Sequence, residues 1–223
     1  MKRFSESSTL SIPAGEYAIQ GDLTLPASAQ GAVIFAHGSG SSRHSPRNKY
    51  VAEVLNRGGL ATLLIDLLTA EEELADMRTA EYRFDIPLLA DRLLAATDWA
   101  AKVPSIANMA VGYFGASTGA AAALVAAAKR PQRISAVVSR GGRPDLAADW
   151  LEKVAAPTLL IVGEFDRDVI VLNRHAAKVM RAPTEIRIVR GATHLFEEEG
   201  ALEQVASLVT EWFQKHLIHR QAA

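Results

Sequence analysis

The hydrophobic rhythm of the chain changes near Gly31. Before it, Thr9–Pro13 and Tyr17–Pro26 alternate apolar and polar positions, which predicts two half-exposed strands joined by a turn at Ala14-Gly15. After it, short and largely apolar runs recur between helical stretches: Ala32–Ala36, Ala61–Ile65, Met109–Phe114, Ile134–Ser139, Thr158–Val162 and Glu185–Val189. Successive side chains on a strand point to opposite faces, so a continuously apolar strand is one covered on both sides. Such strands alternating with helices predict an α/β fold built on a mostly parallel, doubly wound sheet of about eight strands.

The helices carry the other period. Ile86, Leu89, Ala90, Leu93, Leu94, Thr97 and Ala101 follow the i, i+3, i+4, i+7 spacing of a buried face, and Leu202, Val205, Ala206, Val209, Trp212 and Phe213 repeat it near the end. Tyr50, Val51, Val54 and Leu55 suggest a helix that stops at Gly58-Gly59. Ala120–Lys129 and Val169–Met180 read as two more. Leu67–Arg83, rich in acidic residues and threonine, is expected to be a loop with a short helix. With no repeat and no linker, the expectation is a single domain over residues 1–223.

Composition narrows the partners. The 24 basic and 25 acidic residues leave a formal charge of −1, which argues against nucleic acid and against a charged membrane surface. Met1–Ser8 is followed by no apolar leader region, and no run approaches the roughly 18 apolar residues of a membrane span. The chain has no cysteine. Disulfides, thiolate metal sites and a cysteine nucleophile are therefore excluded, and a cytoplasmic address fits. No glycine-rich phosphate loop of the nucleotide-binding kinds is present either.

The chemistry centres on Gly115-Ala116-Ser117-Thr118-Gly119, placed between a predicted strand and an alanine-rich predicted helix. G-x-S-x-G in that setting describes a nucleophile elbow, a turn so sharp that the serine is pushed out above the sheet. Serine attacks only when a base takes its proton. Acids follow in Gly163-Glu164-Phe165-Asp166-Arg167-Asp168, after the strand Thr158–Val162, and His194 follows the next strand in Gly191-Ala192-Thr193-His194. Asp166 lies 49 residues beyond Ser117, and His194 another 28 beyond that, room enough for the intervening elements. Asp166 and Asp168 compete to orient the histidine. Asp166 is nearer the strand end, whereas Asp168 could cap the helix from Val169. Donors for an oxyanion would be the backbone N–H groups of Ser39, in His37-Gly38-Ser39-Gly40, and of Thr118. His37 is expected to pack under its loop, and His37, His44 and His194 lack a metal-ligand spacing, so no metal is assigned.

These residues resemble the α/β-hydrolase superfamily and, within it, the dienelactone hydrolase-like group. The resemblance rests on His37-Gly38-Ser39-Gly40, Gly115-Ala116-Ser117-Thr118-Gly119, Gly163-x-x-Asp166-x-x-Val169 and Gly191-x-x-His194, and it covers nearly the full length. It implies a cofactor-free hydrolase that cleaves a small ester, lactone or thioester through an acyl-enzyme, with Ser117 as nucleophile, His194 as base and Asp166 as the orienting acid. Acyl transfer, peptide cleavage on the same triad and a non-catalytic binding scaffold are the alternatives. The namesake enzymes carry a cysteine where this chain has Ser117, so dienelactone itself is not the expected substrate. Larger relatives insert a lid after the sixth strand, but Arg140–Ala156 is too short for a lid domain, which leaves an open site for a small molecule. Arg43 and Arg47, beyond the first loop, and Arg140 and Arg143, beyond the sixth strand, are candidates to bind a carboxylate or phosphate on the substrate. Pairing with acids such as Asp66 or Asp145 is the competing reading of the four.

Overall fold

The computed structural model describes residues 5–218. Met1–Phe4, part of the segment read above for a leader, lie outside the described residues. Eight strands, β1 (Ser5–Ala14), β2 (Tyr17–Pro26), β3 (Gly31–Ala36), β4 (Ala61–Ile65), β5 (Ala110–Ala116), β6 (Ile134–Arg140), β7 (Thr158–Gly163) and β8 (Thr184–Val189), form one sheet. Its order is β1-β2-β4-β3-β5-β6-β7-β8. β2 pairs antiparallel with both β1 and β4, so it alone runs against the rest. The β1–β2 turn falls on Gly15-Glu16, one residue later than expected, with Gly15 at φ +72°. A hairpin turn of two residues needs that positive φ at its first position.

Both faces of the central strands are buried, as their continuous apolar runs require. In β3, Ala32, Ile34 and Ala36 belong to one core while Val33 and Phe35 belong to the other. Helices α1 (Pro46–Arg57) and α6 (Ala201–Leu217) cover the second face, through Val51, Leu55, Val205, Val209 and Phe213. Helices α3 (Ile86–Ala100) and α4 (Thr118–Lys129) cover the first, through Leu89, Leu93, Ala122 and Leu124. α4 is buried on nearly every side, which explains its alanines: larger side chains would hold it away from the sheet. The hydroxyl of buried Tyr113 is satisfied by Thr97 Oγ1 at 2.6 Å.

Two segments depart from the sequence reading. The connection after β6 is filled by two short 3₁₀ helices that meet at a kink at Ala147 within Pro144–Lys153 and pack Ala147 and Leu151 into the core beside α4. Their period of three matches neither the 3.6 of an α-helix nor the 2 of a strand. β8 is the sheet edge rather than a run covered on both faces: Ile188 is 38% exposed, and Arg187 reaches Glu185 at 2.8 Å on the outer side. Charges on an edge discourage pairing with another chain. The acidic stretch does form a helix, α2 (Ala70–Thr79), begun by a capping box between Thr69 and Glu72. Glu72 also accepts from buried Arg92 at 2.7 Å, and Arg92 in turn donates to the Ala14 carbonyl at 2.9 Å. That chain of contacts fastens the N-terminal hairpin to the helical layer. Helix α5 (Arg167–Val179) completes the set.

The topology fixes where a site can form. The chain runs from β3 to β4 on one side, then returns to lay β5 against the other side of β3. At such a reversal the connections leave in opposite directions and open a crevice beyond the C-terminal strand ends. Phe35 is in register with Phe114, and Ala36 with Gly115. The His37 loop and the Ser117 turn therefore leave the sheet side by side.

Candidate active site

Ser117 joins β5 to α4 with φ 50° and ψ −118°. A side chain with a Cβ avoids that region, and holding one there costs on the order of 1–3 kcal/mol. Its surroundings enforce it. A Cβ on Gly115 would sit 2.4 Å from Ala120 Cα, and one on Gly119 would sit 2.2 Å from the His37 carbonyl oxygen. Both glycines of G-x-S-x-G are thus demanded by contact, the first by strand against helix and the second by helix against the neighbouring strand end. Ser117 N–H donates to the Arg140 carbonyl at 3.2 Å, and Arg143 N–H donates to the Ser117 carbonyl at 3.2 Å. The end of β6 clamps the turn from both sides.

Ser117 is the N-cap residue of α4 and makes no side-chain cap bond. Serine at that position usually spends its hydroxyl on the helix. Here the hydroxyl is left for the pocket. The first N–H groups of α4 have no acceptor within the helix, Thr118 among them, and they carry the positive end of the helix dipole. Ser39 reaches Thr118 from the other loop, Oγ to Oγ1 at 3.0 Å, which brings the two expected oxyanion residues together. His37 is buried beneath that loop, as expected. Its Nδ1–H donates to the Gly38 carbonyl at 2.9 Å, and its Nε2 accepts from Leu67 N–H at 3.0 Å. Burial holds its pKa below the usual value, and a proton on Nε2 would abolish the second bond.

Asp166 and His194 come from the loops after β7 and β8. His194 Nδ1 donates to Asp166 Oδ2 at 2.6 Å. The carboxylate is largely buried while the imidazole stays partly open. Asp166 is itself the N-cap residue of α5, again with no side-chain cap bond. The expected helix start at Val169 with Asp168 as its cap is corrected accordingly: α5 begins at Arg167, and Asp168 lies exposed in its first turn. Ser117 and His194 line one pocket of about 190 Å³ together with Gly38, Ser39, Arg47 and Arg140. Among the described residues no hydrogen bond joins Ser117 Oγ to His194, and such bonds often tighten only around a substrate. A larger cavity of about 630 Å³ lies across the Gly40–Arg43 loop, between Tyr17, Asp66 and Glu73, and does not include Ser117.

Several supports of the histidine loop carry no motif. A Cβ on Gly163 would fall 2.5 Å from the carbonyls of Ala192 and Thr193, so only glycine lets the acid loop meet the histidine loop. Glu164 accepts from Gly191 N–H at 2.8 Å, and Glu198 accepts from the Thr193 hydroxyl at 2.5 Å and its N–H at 3.1 Å. Those bonds, the hydroxyl first, hold the Glu198 carboxyl below the usual range. Gly141, at φ +52°, packs on the imidazole: a Cβ there would stand 3.3 Å from the His194 carbonyl oxygen and 3.4 Å from Cε1. Gly141→Ala is expected to cost about 1 kcal/mol in urea unfolding and to lower kcat on a short ester by tilting the ring. Unchanged kcat would show that Gly141 does not position His194.

The four arginines separate. Arg43 pairs with Asp66 through its side chain and donates to it from the backbone at 2.8 Å, with Asp22 at 3.4 Å. Arg143 forms a two-bond fork with Asp145 at 2.8 and 2.7 Å. Both follow the competing reading, and neither lines the Ser117 pocket. Arg47 lines it but also holds Glu197 at 2.6 Å. Arg140 lines it, and among the described residues no carboxylate pairs with it.

Comparison with known proteins agrees with this architecture. The sequence model described as the dienelactone hydrolase family matches residues 19–217. Two proteins of Mycobacterium tuberculosis, strains CDC 1551 and H37Rv, are 58% identical over 206 residues and carry, provisionally, the name phosphoribosyl transferase. The match takes in 92% of this chain and 46% of each of them, so the chain spans about half the length of these curated relatives. A crystal structure titled dienelactone hydrolase, from Anabaena variabilis, superposes with a TM-score of 0.94 at 57% identity, covering 96% of this chain and 99% of that one. Est1E from Butyrivibrio proteoclasticus shares the fold at 18% identity, with a TM-score of 0.78 over 94% of this chain and 98% of its own.

Proposed function

The chain belongs to the dienelactone hydrolase family, and from that premise we propose that it is a serine hydrolase acting on a small ester, lactone or thioester. The observation that carries this is the 2.6 Å Asp166–His194 bond in a pocket shared with a backbone-strained Ser117. Ser117 Oγ attacks the carbonyl carbon while its proton passes to His194 Nε2. Asp166 holds the ring with Nδ1 protonated and balances the imidazolium charge. The carbonyl oxygen, now an alkoxide, accepts from the N–H groups of Ser39 and Thr118. Collapse of this adduct breaks the bond to the leaving alcohol or thiol, which takes the proton from His194. Water, deprotonated by the same histidine, then releases the acid and restores Ser117.

A pocket of about 190 Å³ supports a short acyl or alkoxy group rather than a long chain. No described helix is long and apolar enough to cross a membrane, and a cytoplasmic address is part of the proposal, supported by the cysteine-free sequence. The phosphoribosyl transferase name belongs to proteins about twice as long and favours a second reading only as far as it points to phosphate-bearing substrates.

The decisive test is labelling with a fluorophosphonate, followed by peptide mapping. An adduct on Ser117, with turnover of p-nitrophenyl acetate lost in proportion to labelling, is expected. An unlabelled protein that turns over no short ester would instead support a non-catalytic scaffold.

A further inference from the structure

Asn48 is the third residue of α1, and only 2% of it is exposed. A buried asparagine in a first helical turn needs a reason, since its amide brings both donors and an acceptor. The usual reason at this position is the cap. A polar side chain three residues beyond a serine N-cap reaches back to the N–H of that serine. Ser45 is the N-cap of α1, and its hydroxyl accepts from the Asn48 N–H at 3.4 Å. The Ser45 N–H, however, donates to the Ser42 carbonyl at 3.0 Å. Backbone already fills the return half of the box, so the Asn48 amide has no task in the helix. Its Oδ1 is buried with no hydrogen-bond partner. Leaving such an atom unpaired costs about 1–3 kcal/mol.

Asn48 lies in the wall of the pocket that holds Ser117 and His194. Its partner therefore comes from the pocket, and it is a hydrogen-bond donor. Arg47 and Arg140 line the same pocket, but among the described residues neither donates to the Asn48 amide. A second acceptor belongs to this pocket. His194 gives its Nδ1–H to Asp166 at 2.6 Å, which leaves Nε2 with a lone pair. Asn48 Oδ1 and His194 Nε2 together suit one molecule with two donor hydrogens. An ester, ether or carboxylate has none, and an alcohol has only one. Water has two, and it also carries the lone pair that deacylation requires.

We propose that Asn48 is a further catalytic residue, which holds the water that attacks the acyl-enzyme. The inference rests on Ser117 being the nucleophile of the proposed hydrolase. One O–H of the water donates to Asn48 Oδ1 and the other to His194 Nε2. The water oxygen bonds to the acyl carbon as the second of these protons passes to His194. The adduct then collapses: the bond from carbon to Ser117 Oγ breaks, Oγ takes the proton back from His194, and the carboxylic acid leaves. Asn48 has no part in the first half of the cycle, where Ser117 supplies both the nucleophile and the proton for His194. Its contribution is confined to deacylation, a kinetic signature that a residue merely shaping the pocket lacks.

The test separates the two half-reactions on p-nitrophenyl acetate. On an acyl-enzyme route kcat/KM reports acylation alone, while decay of the acetyl-Ser117 enzyme, followed by quenched-flow mass spectrometry, reports deacylation. Asn48→Leu is close in size and has no hydrogen-bonding group. It is expected to slow deacylation roughly tenfold or more while keeping kcat/KM within about twofold of the wild type. Where deacylation limits turnover, kcat and KM fall together. Hydroxylamine attacks an acyl group without first giving up a proton, so it is expected to restore most of the lost turnover in the variant. Should the leucine variant not fold, Asn48→Ala, which suits a helix, is read in the same way. An unchanged deacylation rate, or acylation and deacylation slowed by the same factor, overturns the proposal. If acetyl-Ser117 forms in the wild type and decays equally fast in Asn48→Leu, the hydrolase reading stands and only the role of Asn48 is lost. A wild type that takes neither acetyl nor fluorophosphonate on Ser117 overturns both.

Discussion

Ser117→Ala is expected to lower kcat/KM on p-nitrophenyl acetate by about 10⁴–10⁶, and Ser117→Gly to do the same while making the protein more stable than either. The activity loss follows from the proposed chemistry: without the Ser117 hydroxyl the proposed acyl-enzyme is lost, and the N–H donors and histidine are left to assist only direct attack by water. The stability gain follows from the backbone. Ser117 sits at φ 50° and ψ −118°, which penalises serine and alanine alike through the Cβ. Glycine has no Cβ and adopts the conformation freely, so the variant should gain about 1 kcal/mol, read as a higher urea midpoint at constant m-value. The hydroxyl makes no cap bond to α4, so removing it forfeits no helix contact. Retained turnover in either variant would remove Ser117 from the mechanism. Equal stability of the glycine and alanine variants would show that the turn is not under strain.

That strain marks what the sequence could convey. Period and run length gave the alternating elements because both faces of β3 to β7 are buried, and only a parallel sheet between helical layers does that. The motif G-x-S-x-G gave the elbow because contact with Ala120 and with the His37 carbonyl leaves no room for a Cβ at Gly115 or Gly119. The two short 3₁₀ helices within Pro144–Lys153 stayed hidden because their period matches neither pattern and a kink at Ala147 breaks it. The supports of His194 stayed hidden for a different reason. Glu198, Glu164 and Gly141 act through single contacts set by tertiary geometry, and one glutamate among many in a surface loop carries no periodic signal. The arginines were equivalent in the sequence, all read as loop residues on the active face, although Arg47 falls in the first turn of α1 and Arg140 at the last position of β6. Their partners separate them: Asp66 and Asp145 neutralise two, Glu197 engages a third, and Arg140 is left buried beside Ser117 without an acid among the described residues. Capping preference also misled. An aspartate before a helix ordinarily caps it, which suggested Asp168, yet the true N-cap residue, Asp166, gives its carboxylate to His194 instead.

This exchange of roles separates the two aspartates experimentally. Asp166→Asn is expected to reduce kcat by about 10³–10⁴, whereas Asp168→Asn should stay within a few fold of wild type. Asparagine in place of Asp166 can still meet His194 Nδ1, but it either offers an amide N–H, which forces the other tautomer, or a neutral oxygen, which leaves the imidazolium unbalanced. The first removes the base at Nε2 and the second weakens it, when Ser117 must lose its proton. Asp168 contributes only a negative charge in the first turn of α5, worth about 0.3–1 kcal/mol of stability through the helix dipole, with no contact to the imidazole. Neither substitution should unfold the protein, because Asp166 makes no cap bond whose loss would fray α5. The two aspartates are therefore expected to trade places in the two assays: Asp166→Asn changes kcat more than the urea midpoint, and Asp168→Asn the midpoint more than kcat. A second test uses non-additivity. If Asp166 acts only through His194, the double variant Asp166→Asn/His194→Ala should be no slower than His194→Ala alone. A further loss in the double variant would mean that the carboxylate has a task of its own in the pocket, apart from holding the ring.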